Sequence, residues 1–194
     1  MRQFITAASA DRLFGCWLLS LLGLRRAEVL GLRWSDIGFE AGTLTITRRR
    51  VLVEGRVVEK CPKSKRSVRT LPLFGIVTKA LEALKVAQMG ELAAAGAAYQ
   101  NSGYVCADEL GAPLHPDRYS GEFQRVAGDL PKIRLHDTRG SVNDYLERLG
   151  VPETLRAAWL GHTVAVNRGA YLSAPRPEEL AVISDTLGPL FRPL

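Results

Sequence analysis

Basic and hydrogen-bonding side chains make up the reactive inventory of this 194-residue sequence. Arg25 follows Gly23-Leu at a predicted helix junction, where its guanidinium fork could meet a phosphate through two N–H donors. His136 and Arg139 stand three apart in Leu135-His136-Asp-Thr-Arg139. In a helix that spacing projects both side chains from one face, able to grip a single ligand. Lys63 sits in the basic turn Cys61-Pro-Lys-Ser-Lys-Arg-Ser, His162 follows Leu160-Gly, and Tyr171 lies in Gly169-Ala-Tyr-Leu-Ser. Taken singly each has an ordinary use: a helix-capping histidine, a solvated arginine or lysine, a half-buried tyrosine packed on its neighbours.

Missing motifs narrow the chemistry. There is no G-x-x-x-x-G-K-[ST] phosphate loop, no G-x-S-x-G elbow, no H-E-x-x-H and no dense carboxylate cluster, which disfavours nucleotide hydrolysis and two-metal nuclease chemistry. Cys16, Cys61 and Cys106 are widely spaced and form no C-x-x-C pair, so they read as reduced, structural thiols, and neither a zinc site nor any other metal is expected. The 26 basic against 20 acidic residues give a formal charge of +6, which favours a polyanionic partner, nucleic acid first. The most apolar run, residues 13–24, ends at Arg25-Arg26 and is too short to span a bilayer. The start Met1-Arg-Gln-Phe-Ile-Thr lacks the order of a cleavable signal, so the chain is expected in the cytosol without membrane contact.

These groups must be positioned by a mainly α fold with a small three-stranded antiparallel sheet (α+β). Apolar periodicity predicts helices over residues 11–22, 27–32, 76–95, 117–126, 137–149, 153–159 and 178–187. Gly23 and Gly96 stand where helix C-termini place left-handed residues. Thr43-Leu-Thr-Ile-Thr alternates polar with apolar residues, Glu54-Gly55 is a turn signal, and Val57-Val58 and residues 68–73 continue the strand pattern. These stretches are expected to form the sheet, with the basic turn that carries Lys63 at its centre. One domain over residues 1–194 is expected.

Read together, the motifs resemble the tyrosine recombinase family, phage-type integrases in particular. Gly23-Leu-Arg25-Arg-Ala-Glu28-Val-Leu-Gly-Leu-Arg-Trp34-Ser-Asp36-Ile is similar to the family's first arginine box nearly residue for residue. Pro62-Lys63-Ser-Lys-Arg-Ser-Val-Arg-Thr70-Leu-Pro-Leu looks like the turn and strand that carry its catalytic lysine. Leu135-His136-Asp-Thr-Arg139 resembles the second box, and Leu160-Gly-His162 with Tyr171 the histidine and nucleophile. Twenty-three residues separate Arg139 from His162 and nine separate His162 from Tyr171, both usual for the family. Where the family often has His-Thr after the second-box arginine, this chain has Gly140-Ser141. The resemblance covers nearly the whole chain from about Ala8 and implies the family's catalytic-domain fold. The N-terminal core-binding domain usual in the family has no counterpart in the chain, so weakened DNA affinity is expected.

The resemblance implies a mechanism. Arg25 and Arg139 would hold the non-bridging oxygens of a DNA phosphate, His162 would add a donor, and Tyr171 would attack phosphorus. His136 would act as base or positioner, and Lys63 would protonate the leaving 5′ oxygen. No cofactor is implied, neither metal nor ATP. From charge, Arg48, Arg49 and Arg50 on the first strands, and Lys65, Arg66 and Arg69 near the basic turn, are candidate DNA contacts. The implied partner is double-stranded DNA, bound by a homotetramer that is a monomer or weak oligomer when free. Leu180, Ile183 and Leu187 form a stripe that could pack on a neighbouring protomer or on its own domain. Two other readings stay open: a type IB topoisomerase-like strand transferase, and a DNA-binding fragment without activity of its own.

Overall fold

The computed structural model describes residues 1–61, 68–131, 134–161 and 177–191. Helix α2 (Phe14–Leu21) is the hub: every residue from Gly15 to Leu21 is buried, so the helix lies inside the molecule and presents no polar face. Its Trp17 ring packs at a tilt on Tyr119, centroids 4.5 Å apart, and meets Phe123 edge-on at 5.9 Å. Both partners belong to α5 (Pro116–Ala127). The short helix α1 (Arg2–Ala8), which the sequence analysis passed over, joins this cluster by stacking Phe4 on Phe123 at 4.6 Å.

A buried helix leaves carbonyls at its C-terminus that need donors from elsewhere. Around the end of α2 the backbone N–H groups of Leu22, Gly23 and Leu24 turn back to Leu18 O, Ser20 O and Leu19 O, and the C-terminal third of the chain supplies further donors to Ser20 and to the two carbonyls just past the helix. Thr138 Oγ1 donates to Ser20 O at 3.0 Å, Trp159 Nε1 to Leu22 O at 2.9 Å and Arg139 Nη1 to Gly23 O at 2.7 Å. Thr138 and Arg139 lie on α6 (Leu135–Arg148), Trp159 on α7 (Glu153–Leu160). Gly23 then turns the chain with φ 90° into α3 (Arg26–Gly31). Polar bonds thus tie the segment between α2 and α3 to α6 and α7, while Val142, Leu146 and Leu160 supply the apolar packing beside them.

The sheet is three-stranded and antiparallel, as expected, but its members differ. Strand β2 (Thr43–Ile46) pairs on one side with β1 (Ile37–Gly38) and on the other with the strand at Arg69–Pro72. Val57-Val58 lies in a separate hairpin of β3 (Arg49–Val53) and β4 (Arg56–Lys60), so the strand at Arg69–Pro72 is β5. The reason is local. Glu54 and Gly55 both take positive φ, 48° and 75°, the two-residue turn whose twist matches that of paired strands, and it closes β3 directly on β4.

Helix α4 (Gly75–Ala95) buries Val77, Leu81 and Leu84 toward α2 and leaves Val86 and Met89 exposed. The C-terminal helix α8 (Pro177–Leu187) buries Leu180, Ile183 and Leu187 against β5 and α7 of its own chain, and Ser184 Oγ donates to Pro72 O at 3.4 Å. All three cysteines are free thiols; Cys16 and Cys106 are buried, whereas Cys61 is exposed just after β4. Among the described residues, no helix is long and apolar enough to cross a membrane, and no group of three His, Cys, Asp or Glu residues could hold a metal ion.

Candidate active site

The site is built where the α2–α3 junction, β5 and the end of α7 meet. Helix α3 is capped at Arg25, the residue before it, where Glu28, its third residue, accepts the Arg25 backbone N–H through Oε2 at 2.8 Å. The same carboxylate accepts Arg25 Nη1 at 3.0 Å. From β5, Arg69 donates to it with both terminal nitrogens, at 3.0 and 2.9 Å. Glu28 is buried, and that burial opposes its charge. The hydrogen bonds and charges of Arg69, then of Arg25, outweigh it and hold the carboxyl below its ordinary range.

Helix α7 ends at this cluster, and its last carbonyls carry the negative end of the helix dipole. Each is taken by a different guanidinium. Arg69 Nε donates to Trp159 O at 3.0 Å, Arg139 Nη2 to Leu160 O, and Arg25 Nη2 to Gly161 O at 3.2 Å. Gly161 caps the helix in the left-handed region, with φ 63°, and a Cβ there would lie 2.5 Å from Arg69 Nη1. Only a glycine suits both the backbone angle and the space.

Arg139 is buried to 6% exposure. Burial lowers its pKa to about 10, the positive charges of Arg25 and Arg69 act in the same direction, and Glu28 opposes them. Two guanidiniums therefore hold one carboxylate while a third, Arg139, lies within reach of its charge and theirs, an excess of positive charge partly withdrawn from water. An anion arriving here would relieve the repulsion. Arg25, with 43% of its side chain exposed, is the member that water or a ligand can reach.

Of the sequence-predicted site residues, the structure brings Arg25 and Arg139 to one helix end, directly before His162 in the chain. His136 is exposed in the first turn of α6, one turn before Arg139. Lys63, His162 and Tyr171 lie outside the described residues, as do Lys65 and Arg66. Gly140 faces open space and Ser141 Oγ donates to Asp137 O at 3.0 Å, so this departure from the usual box stays on the helix surface.

The arginines expected on DNA divide. Arg49 is exposed on β3, opposite Lys60 in the ladder, and no ion pair engages it among the described residues. Arg48 instead pairs with Asp36 at 2.8 Å. Arg50 is buried, donating to Leu114 O at 3.0 Å with its guanidinium 5.0 Å from the centre of the Tyr104 ring. Arg69 is turned inward on Glu28 and Trp159, 10% exposed. A strand's alternation sends neighbouring side chains to opposite faces, so a run of three arginines cannot all point outward. Glu28 is the residue sequence reasoning missed; its position three after Arg25 on a helix was the available signal.

Comparison with known proteins agrees with this architecture. The profile of the phage integrase family matches residues 2–173. The chain is 29% identical to the tyrosine recombinase XerC-like protein of Caldanaerobacter subterraneus subsp. tengcongensis, over 98% of this chain and 53% of the relative. It is 30% identical to the ICEBs1 integrase of Bacillus subtilis, over 62% of this chain and 33% of that protein. It thus spans about half the length of the first relative or less of the second. Among solved structures, the Tn1549 transposon integrase in complex with transposon right end DNA superposes with a TM-score of 0.66 at 20% identity, covering 98% of this chain and 64% of that one. The XerA recombinase gives 0.58 at 17% identity, over 94% and 61%. At such identities the likeness is one of fold.

Proposed function

This chain belongs to the phage integrase family, and from that premise we propose that it is the catalytic domain of a site-specific DNA recombinase that works through a phosphotyrosyl intermediate. The Tyr171 oxygen attacks a backbone phosphorus, a new O–P bond forms as the bond to the 5′ oxygen breaks, and the 3′ phosphate remains on the tyrosine. The phenol proton passes to His136 or solvent, and Lys63 donates a proton to the departing 5′ oxygen. A 5′ hydroxyl from another strand then reverses the step and rejoins the DNA. Because the ester keeps the energy of the broken bond, neither ATP nor metal is required.

The observation that carries this reading is the convergence of Arg25 and Arg139 on successive carbonyls at the end of α7. Their forks suit the two non-bridging oxygens and the added charge of the five-coordinate state, with His162 as a further donor. Arg49, Lys65 and Arg66 supply backbone attraction without base readout. The substrate is double-stranded DNA, engaged in the cytosol by a homotetramer; the burial of the α8 stripe on its own domain supports a monomer or weak oligomer off DNA.

The test is a nicked suicide duplex, in which loss of the short downstream fragment that carries the new 5′ hydroxyl traps the covalent complex. The wild-type chain should form an adduct in the presence of a chelator, and Tyr171→Phe should form none. Tight binding without any adduct would instead identify a DNA-binding fragment, and an adduct formed equally by Tyr171→Phe would remove the nucleophile assignment.

A further inference from the structure

We propose that Arg69 is a positioning residue for strand transfer, one that neutralises Glu28 so that Arg25 stays available to the scissile phosphate. The inference rests on the recombinase reading above, and it assigns Arg69 to the scaffold of the site instead of the DNA backbone.

Strand β5 sets where the side chain begins. Arg69 is opposite the buried Ile46 at the end of the β2–β5 ladder, and from there its guanidinium crosses to α3 and α7. Nε goes to Trp159 O, and Nη1 and Nη2 to the two oxygens of Glu28. With 10% of the side chain exposed, little of the group is left for a phosphate. The planar fork matches a carboxylate in a way that lysine does not.

The consequence falls on Arg25. Glu28 accepts one Arg25 side-chain nitrogen, and the other reaches Gly161 O. If Arg69 were absent, Arg25 would be the only cation hydrogen-bonded to Glu28 among the described residues. A lone pair of that kind favours closing of the guanidinium onto both oxygens, as in other two-pronged arginine–carboxylate pairs. The charge meant for the phosphate would then be spent on Glu28. Arg69 prevents this by occupying the carboxylate first, and its third bond fixes the last turn of α7, which receives Arg139 and Arg25. The absence of a side chain at Gly161 leaves the room in which Arg69 lies.

The experiment measures single-turnover adduct formation by the full chain on two suicide duplexes, one with an ordinary scissile phosphodiester and one with a methylphosphonate there. The methyl group removes the negative charge that Arg25 is needed to hold. Arg69→Gln should slow cleavage of the phosphodiester at saturating DNA by about 10- to 100-fold, the scale of a misplaced catalytic group. DNA affinity and the salt dependence of binding should stay at wild-type values. On the methylphosphonate the deficit should shrink to less than about threefold, since a neutral centre has less need of a positioned guanidinium. Arg69→Lys, which keeps the charge but not the planar fork, should fall between, and serves if the glutamine variant is not native by circular dichroism.

A salt slope reduced by about one would make Arg69 a DNA contact and overturn the proposal. A deficit equal on both substrates would make it a merely structural residue and overturn it as well. Arg25→Ala is the control on the underlying reading. If its deficit is relieved by the methylphosphonate and that of Arg69→Gln is not, only the Arg69 inference fails. If Arg25→Ala cleaves the phosphodiester normally, the assignment of the site itself fails.

Discussion

Glu28→Gln perturbs the site at its one buried carboxylate. In the native chain the two oxygens accept four N–H groups, from the Arg25 backbone at 2.8 Å, Arg25 Nη1 at 3.0 Å, and Arg69 Nη1 and Nη2 at 3.0 and 2.9 Å. Each oxygen serves one donor from each arginine, so an amide in either orientation loses two acceptors and turns an N–H toward a guanidinium. A hydrogen bond to a charged group contributes about 1.5–3 kcal/mol. Part of the loss is offset because a neutral amide is cheaper to bury, leaving a net of about 3 kcal/mol, near the ~3–5 kcal/mol of breaking one side of a buried pair. For a domain of this size that lowers Tm by about 6–12 °C.

The pH dependence has a definite sign. The folded carboxyl titrates below its ordinary value because the bonds and charges of Arg69 and Arg25 outweigh the opposing effect of burial. Its stabilisation is therefore complete above the unfolded pKa of about 4.3 and is lost as pH falls through the folded one. Thermal unfolding followed by circular dichroism, on wild type and Glu28→Gln from pH 7 down to pH 3, should show a gap that is largest at pH 7 and narrows on acidification. A gap below about 2 °C at pH 7, or one that widens toward acid, would mean that the Glu28 carboxylate does not stabilise the fold in this way.

Three further outcomes follow from other parts of the molecule. Gly161→Ala should destabilise by about 1–3 kcal/mol, because its Cβ meets Arg69 from a left-handed backbone, and combining it with Arg69→Gln should cost less than the two single changes together in chemical denaturation. Tyr119→Phe should lower stability by about 1–2 kcal/mol, since the hydroxyl is buried between Ser20 Oγ at 2.8 Å and Cys16 O at 3.0 Å; an unchanged denaturation midpoint would contradict that role. A thiol reagent should modify Cys61 alone in the native chain and reach Cys16 and Cys106 only on unfolding, because those two are buried and burial pushes the Cys106 thiol up.

The helices were legible wherever a long apolar rhythm ended in a glycine. The predicted spans 76–95 and 117–126 compare with Gly75–Ala95 and Pro116–Ala127 in the structure. Helix α1 escaped because two turns at the chain start carry too few apolar repeats to set a period. Strand pairing was less legible. Alternation marks a strand but not its partner, so the hairpin of β3 and β4 was merged with the sheet of β1, β2 and β5.

The site divides in the same way. Arg25 and Arg139 were readable from their boxes, and the fold brings them to one helix end. What charge could not reveal was which arginines face a protein partner. Arg69 and Arg50 look as exposed in sequence as Arg49 does, yet one lies on Glu28 and the other over Tyr104. Such partners are tens of residues away along the chain, and only the packing of β5 and β3 on the helices decides them.

Recombination as proposed requires the phenol of residue 171 to reach the phosphate gripped by Arg25 and Arg139. Mass spectrometry of the trapped DNA adduct after proteolysis tests it directly. One modified peptide is expected, carrying the DNA 3′ phosphate on Tyr171 and lost when Arg25 or Arg139 is replaced by alanine. A nucleotide found on any other residue, or an adduct at full yield without both arginines, would contradict it.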